Sequence, residues 1–87
     1  MTVFKARLMM PEYRELLEKM YEMTKGNEMD YVGEKDLGEA LGQEAEETKK
    51  IVNWLLGEGL LNRRSIGNVE LTHVGIKEIE RGETLAK

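Results

Sequence analysis

The sequence has no cysteine, one proline and one histidine among 87 residues. The missing thiols exclude disulfides and thiolate metal sites, and a solitary histidine, His73, makes no recognisable metal site. Long apolar runs are lacking too. Runs such as Leu8, Met9 and Met10 within 7–11 are short, far from the ~20 apolar residues that a membrane-spanning helix needs. The opening stretch from Met1 to Arg7 is interrupted by Lys5 and lacks the apolar region of a signal peptide. A cytoplasmic location without membrane contact is the default expectation. The nine glycines are scattered and fit no phosphate-binding or dinucleotide pattern. No nucleophile sits in a pattern with a base, and the glutamates fall on helix exteriors or helix starts. Neither catalysis nor a cofactor is expected.

What is present is the composition of a soluble globular chain, 40% hydrophobic and 34% charged. At this length one domain, 1–87, is expected, burying only ~60% of its unfolded surface. The net charge of −4 argues against indiscriminate coating of nucleic acid. Its distribution is uneven. Residues 1–10 carry +2, residues 11–48 carry −8, residues 49–64 carry +3 and residues 65–87 carry −1. One short basic stretch therefore interrupts an acidic chain.

Apolar spacing predicts the elements. Residues 1–10, with Val3, Phe4, Leu8, Met9 and Met10, read either as a strand or as an early helix turn packed on the body or on a second subunit. Pro11 suits the first position of a helix, whose stripe is Tyr13, Leu16, Leu17, Met20 and Met23. Gly26-Asn27 ends it. Residues 29–32 read as extended. Gly33 opens a second helix over 34–41, with Leu37, Ala40 and Leu41 inward, and Gly42 stops it. A third helix spans 44 or 45 to 58, burying Thr48, Ile51, Val52 and Leu55, with Gly59 just past its end. Residues 60–66 read as a strand, Gly67-Asn68 as a two-residue turn and 69–72 as the return strand. Thr72 caps a last helix through about Arg81, which packs Val74, Ile76 and Ile79; Gly82 ends it, leaving 82–87 as a frayed tail. The methionines and Trp54 read as core filler more readily than as a binding or subunit surface, and His73 as a surface residue.

The order is helix, short strand, helix, helix, hairpin, helix. That is an α+β class: a three-helix core containing a helix-turn-helix, a small antiparallel sheet and a C-terminal helix. The stretch from Asp36 to Gly42 (DLGEALG), the ending Leu55, Gly59, Leu60, Leu61, and the stretch from Leu71 to Ile76 (LTHVGI) resemble prokaryotic winged helix-turn-helix regulators. The similar patterns there are "L-A-x-x-L-G", "L-x-x-x-G-L-hydrophobic" and "L-T-x-x-G". The resemblance covers about 13–81 and is specific for fold rather than function.

The resemblance implies double-stranded DNA as partner. It places the solvent face of the third helix, Glu46, Glu47, Lys49, Lys50 and Asn53, in the major groove. It places the hairpin tip, or wing, with Arg63, Arg64, Ser65 and Asn68, near the backbone or minor groove. On chemistry, Lys49 and Lys50 suit phosphates and Asn53 suits an adenine edge, while Arg63 or Arg64 suits a phosphate beside the wing. Each also has a bland reading: lysines balancing Glu46 and Glu47, a plain surface asparagine, an arginine paired with an acid. Adjacent strand residues point to opposite faces, so at most one of the two arginines has a clear line to DNA. A small regulator of this kind would double its interface as a homodimer. The rival expectation is a protein-interaction module whose acidic first and second helices face a basic partner.

Overall fold

The protein is described by a computed structural model covering residues 10–86, with side chains for 10–81. The expectations for residues 1–9 and Lys87 lie outside the described residues. Pro11 begins α1 (Pro11–Thr24). Leu16, Leu17, Met20 and Thr24 form its buried arc, at the three- and four-residue steps that keep side chains on one face. Met23 lies outside that arc and is 42% exposed, contrary to the predicted stripe. The helix ends before Gly26, because Lys25 itself takes the left-handed conformation (φ 57°). The amides of Lys25 and Gly26 return to the carbonyls of Glu22 and Tyr21, a Schellman ending built on a residue with a Cβ.

The next elements are β1 (Val32–Gly33), α2 (Glu34–Leu41) and α3 (Ala45–Gly57). Helix α2 buries Leu37 and Gly38, while Ala40 faces solvent rather than the core. The face toward α3 is set at Gly38, where an added Cβ would stand 2.7 Å from Thr48 Oγ1. Helix α3 buries Thr48, Ile51, Val52 and Leu55, as its spacing predicts. It stops at Gly59 (φ 79°), whose amide and that of Leu60 bond to the Leu56 and Leu55 carbonyls.

A hairpin follows, β2 (Leu61–Ser65) and β3 (Asn68–Leu71), and the sheet order is β1-β3-β2, all antiparallel. Leu61 pairs with Leu71 and Arg63 with Val69, but Ser65 pairs with Asn68, leaving Arg64 as the extra residue of a bulge. That extra residue moves the turn. The loop is Ile66-Gly67 rather than the predicted Gly67-Asn68, and Asn68 opens β3.

Thr72 caps α4 (His73–Ala86): its Oγ1 accepts the Gly75 amide at 2.9 Å. The same hydroxyl donates to the Gly59 carbonyl at 2.7 Å, and the Thr72 amide donates to the Leu60 carbonyl at 3.2 Å. Gly75 is buried, and a Cβ there would collide with the Leu60 carbonyl oxygen. Two of the three sequence patterns that carried the resemblance, around Gly59-Leu60 and Thr72–Gly75, thus meet in one junction. Ile79 is buried and Ile76 half-buried, but Val74 is 55% exposed because it lies off the packed face. The helix continues past Gly82 to Ala86. One interior glycine costs only ~1 kcal/mol, too little to stop a helix with tertiary support.

The core lies between α1, α2, α3 and the inner face of the sheet, around Leu17, Leu37, Ile51, Leu55, Val69 and Leu71. Among the described methionines only Met20 belongs to it; Met10, Met23 and Met29 are exposed, which corrects their reading as filler. Trp54 is corrected likewise. It is 37% exposed and leans on Tyr13 of α1, ring centroids 4.8 Å apart. Its position at the margin of the Ile51–Leu55 face lets one ring face pack while the other meets solvent.

Candidate nucleic-acid interface

A concave surface of about 730 Å³ lies between α2, the α2–α3 turn, the start of α3 and the wing. Lys35, Gly38 and Glu39 come from α2, Gln43 from the turn, Thr48 and Lys49 from α3, and Arg63, Ile66 and Gly67 from the wing. Helical spacing explains the α3 contribution. Ala45, Thr48 and Lys49 are three and four residues apart and form the flank toward the wing. Glu46, Lys50 and Asn53 form the outermost face, exposed at every position. Glu47 is seven residues from Trp54 and shares its flank, away from the wing. Of the two glutamates, Glu46 lies on the same line as Lys50 and Asn53, whereas Glu47 neighbours Lys50 alone, three residues on.

The wing is held to the helix-turn-helix at its tip. The Glu34 amide, first in α2, donates to the Gly67 carbonyl at 2.7 Å. Arg63 pairs with the Glu34 carboxylate at 3.4 Å. Asn68 Nδ2 donates to Ser65 Oγ at 2.9 Å, closing the hairpin turn. Ile66, at the tip, is 98% exposed.

The six residues singled out from sequence therefore divide. Lys49 and Arg63 share the groove, and Lys50 and Asn53 occupy the adjoining outer face of α3. Asn68 is half-buried and engaged in the turn. Arg64 points elsewhere: its guanidinium bonds the Met29 carbonyl at 3.2 Å and Glu70 at 3.1 Å, and lies 5.1 Å from the Tyr31 ring centroid. The two arginines diverge as adjacent strand residues should, and both carry an acidic partner.

Three groove residues escaped the sequence reading. Lys35 was hidden inside the acidic block 11–48, although it lies three residues before Gly38 on the same helical face. Ile66 became a tip residue only through the bulge. Gln43 gave no signal apart from standing where a Ser or Thr often caps a helix. The groove's formal charges are Lys35, Lys49 and Arg63 against Glu34 and Glu39. Among the described residues no cluster of His, Asp or Glu side chains is arranged to hold a metal ion. No described helix is long and apolar enough to cross a membrane.

No family model matches the chain, and no curated protein does. Among solved structures, MepR, a transcription regulator of the Staphylococcus aureus multidrug efflux pump MepA, superposes with a TM-score of 0.76. This is a winged helix-turn-helix fold. The alignment covers 87% of this chain at 22% identity, so the likeness is one of fold. The winged helix chain described here spans about half the length of that regulator, matching 55% of it.

Proposed function

We propose that this winged helix domain binds double-stranded DNA as a small transcriptional regulator, with α3 in the major groove and the wing on the flanking backbone. The observation that carries the reading is the groove itself, which sets Lys49 of α3 and Arg63 of the wing on facing walls. Lys49 and Lys50 neutralise phosphates, Asn53 reads a base edge, and Arg63 contacts the backbone beside the wing. Asn68 acts by closing the wing turn. Arg64 stiffens the outer side of the sheet, bound to Glu70 and Tyr31. One such domain offers a small interface, and a homodimer on a two-fold site doubles it. The test is a titration of mixed-sequence duplexes at several salt concentrations. Binding is expected to weaken with salt at a log–log slope of about −0.9 per neutralised phosphate. Lys49→Ala and Lys50→Ala are each expected to reduce that slope by roughly one. An absence of affinity at low salt, or a slope indifferent to both lysines, overturns the reading.

One observation favours a second reading, a protein partner in place of DNA. Both wing arginines are paired with acids, and Glu34 and Glu39 oppose the three groove cations. A basic protein captured specifically, with no DNA retained, is the outcome that selects it.

A further inference from the structure

Helix α3 begins with an unusual device. Its N-cap, Glu44, makes no side-chain capping bond. The residue before the cap and the fourth helical residue commonly pack as an apolar staple that fixes the angle of the incoming chain. Those positions are Gln43 and Thr48. Thr48 Oγ1 donates to Gln43 Oε1 at 2.8 Å, a polar staple instead of an apolar one. Thr48 is 1% exposed and lies against Gly38, where even a methyl group would stand 2.7 Å from its hydroxyl oxygen. The glycine in place of the pattern's alanine is therefore linked to the threonine beneath it.

An apolar staple would do the same structural work without the cost of enclosing a hydroxyl and an amide. The polar form has one consequence that the apolar form lacks. With Oε1 held by Thr48, the Gln43 amide is fixed in orientation. Its Nε2 carries two N–H donors and has no acceptor among the described residues. Gln43 lines the groove together with Lys35 and Lys49.

We infer that Gln43 is a preorganised hydrogen-bond donor to an acceptor oxygen or nitrogen of bound duplex DNA, with Thr48 as the residue that positions it. This inference rests on the DNA reading above. The geometry lowers the cost of the contact, because the glutamine rotamers are restricted before DNA arrives. Since Gln43 is neutral, its contact releases no counterion. It contributes affinity without contributing to the salt slope, unlike Lys49.

The test compares Gln43→Ala, Thr48→Val and the double variant Q43L/T48V with the wild-type chain on the same duplexes. The double variant restores an apolar staple, so urea denaturation reports whether the start of α3 is intact. Each is expected to weaken DNA binding about three- to tenfold, the range of one net hydrogen bond, with the salt slope unchanged. In a combined Q43A/T48V variant the two losses are expected to be non-additive, the pair losing little more than Gln43→Ala alone. Loss spread evenly over all sequences assigns the acceptor to a phosphate, and loss of preference at one position assigns it to a base edge. A stably folded Q43L/T48V protein that binds DNA as tightly as wild type overturns the inference while leaving the DNA reading intact. A wild-type chain that binds no duplex overturns both.

Discussion

Two junctions hold this domain together, and they are built on different chemistry. The junction between α3, β2 and α4 is made mostly of backbone: Gly59 and Leu60 carbonyls, the Thr72 amide, and Gly75 against the Leu60 carbonyl, with the Thr72 hydroxyl as its one side-chain group. The junction between α2 and α3 is made of side chains: Thr48 beneath Gly38, holding Gln43. The first leaves little room for chemical variation, since backbone atoms cannot be exchanged. The second can be rebuilt with other side chains, so its present form carries more information about what this chain does.

That contrast is broken or sharpened by substitution. Gly75→Ala is expected to be the most damaging, since the new Cβ meets backbone rather than a flexible side chain. A loss of about 4 kcal/mol in urea denaturation fits an overpacked site that cannot relax; a loss under about 1 kcal/mol would show that α4 slides easily. Gly38→Ala is expected to cost about 2 kcal/mol, because the Thr48 side chain can move aside. Adding Thr48→Ala should recover part of that loss, a coupling of about 1 kcal/mol seen in a double-mutant cycle. Strict additivity would show that the two residues do not press on each other. Thr72→Ala removes a cap and is expected to cost about 1 kcal/mol in thermal unfolding. Lys25→Gly acts outside both junctions and should stabilise by about 0.5–1 kcal/mol, relieving a left-handed conformation on a residue with a Cβ. No gain there would mean that the added freedom of the unfolded chain offsets the relief.

Features set by local chemistry were legible in the sequence. The limits of α2, the buried face of α3, Gly59 past its end and the Thr72 cap all follow from spacing and capping rules applied within a few residues. Features set by tertiary packing were not. Trp54 looked like core because its residue type is apolar, but it stands at the margin of the buried face, packed on Tyr13 and 37% exposed. The bulge at Arg64 depends on cross-strand register and shifted the turn by one residue. The groove shows the same division. Lys49, Lys50 and Asn53 could be placed on one side of a helix from periodicity alone. The meeting of Lys49 with Lys35, Gln43 and Arg63 required the α2–α3 crossing and the fold-back of the wing, which periodicity within one helix does not show.

The bond from the Glu34 amide to the Gly67 carbonyl has a consequence for the thermodynamics of binding. Wings on flexible hairpins must surrender conformational freedom when they dock, at about 1–2 kcal/mol per ordered residue. Here the tip is already tied to the first residue of α2, so wing and helix-turn-helix approach a ligand as one body. The same bond supplies a gauge. Exchange of the Glu34 amide hydrogen with solvent is controlled by detachment of the wing, so one backbone proton, 33 residues away in sequence from Gly67, reports how often the domain opens its own hand.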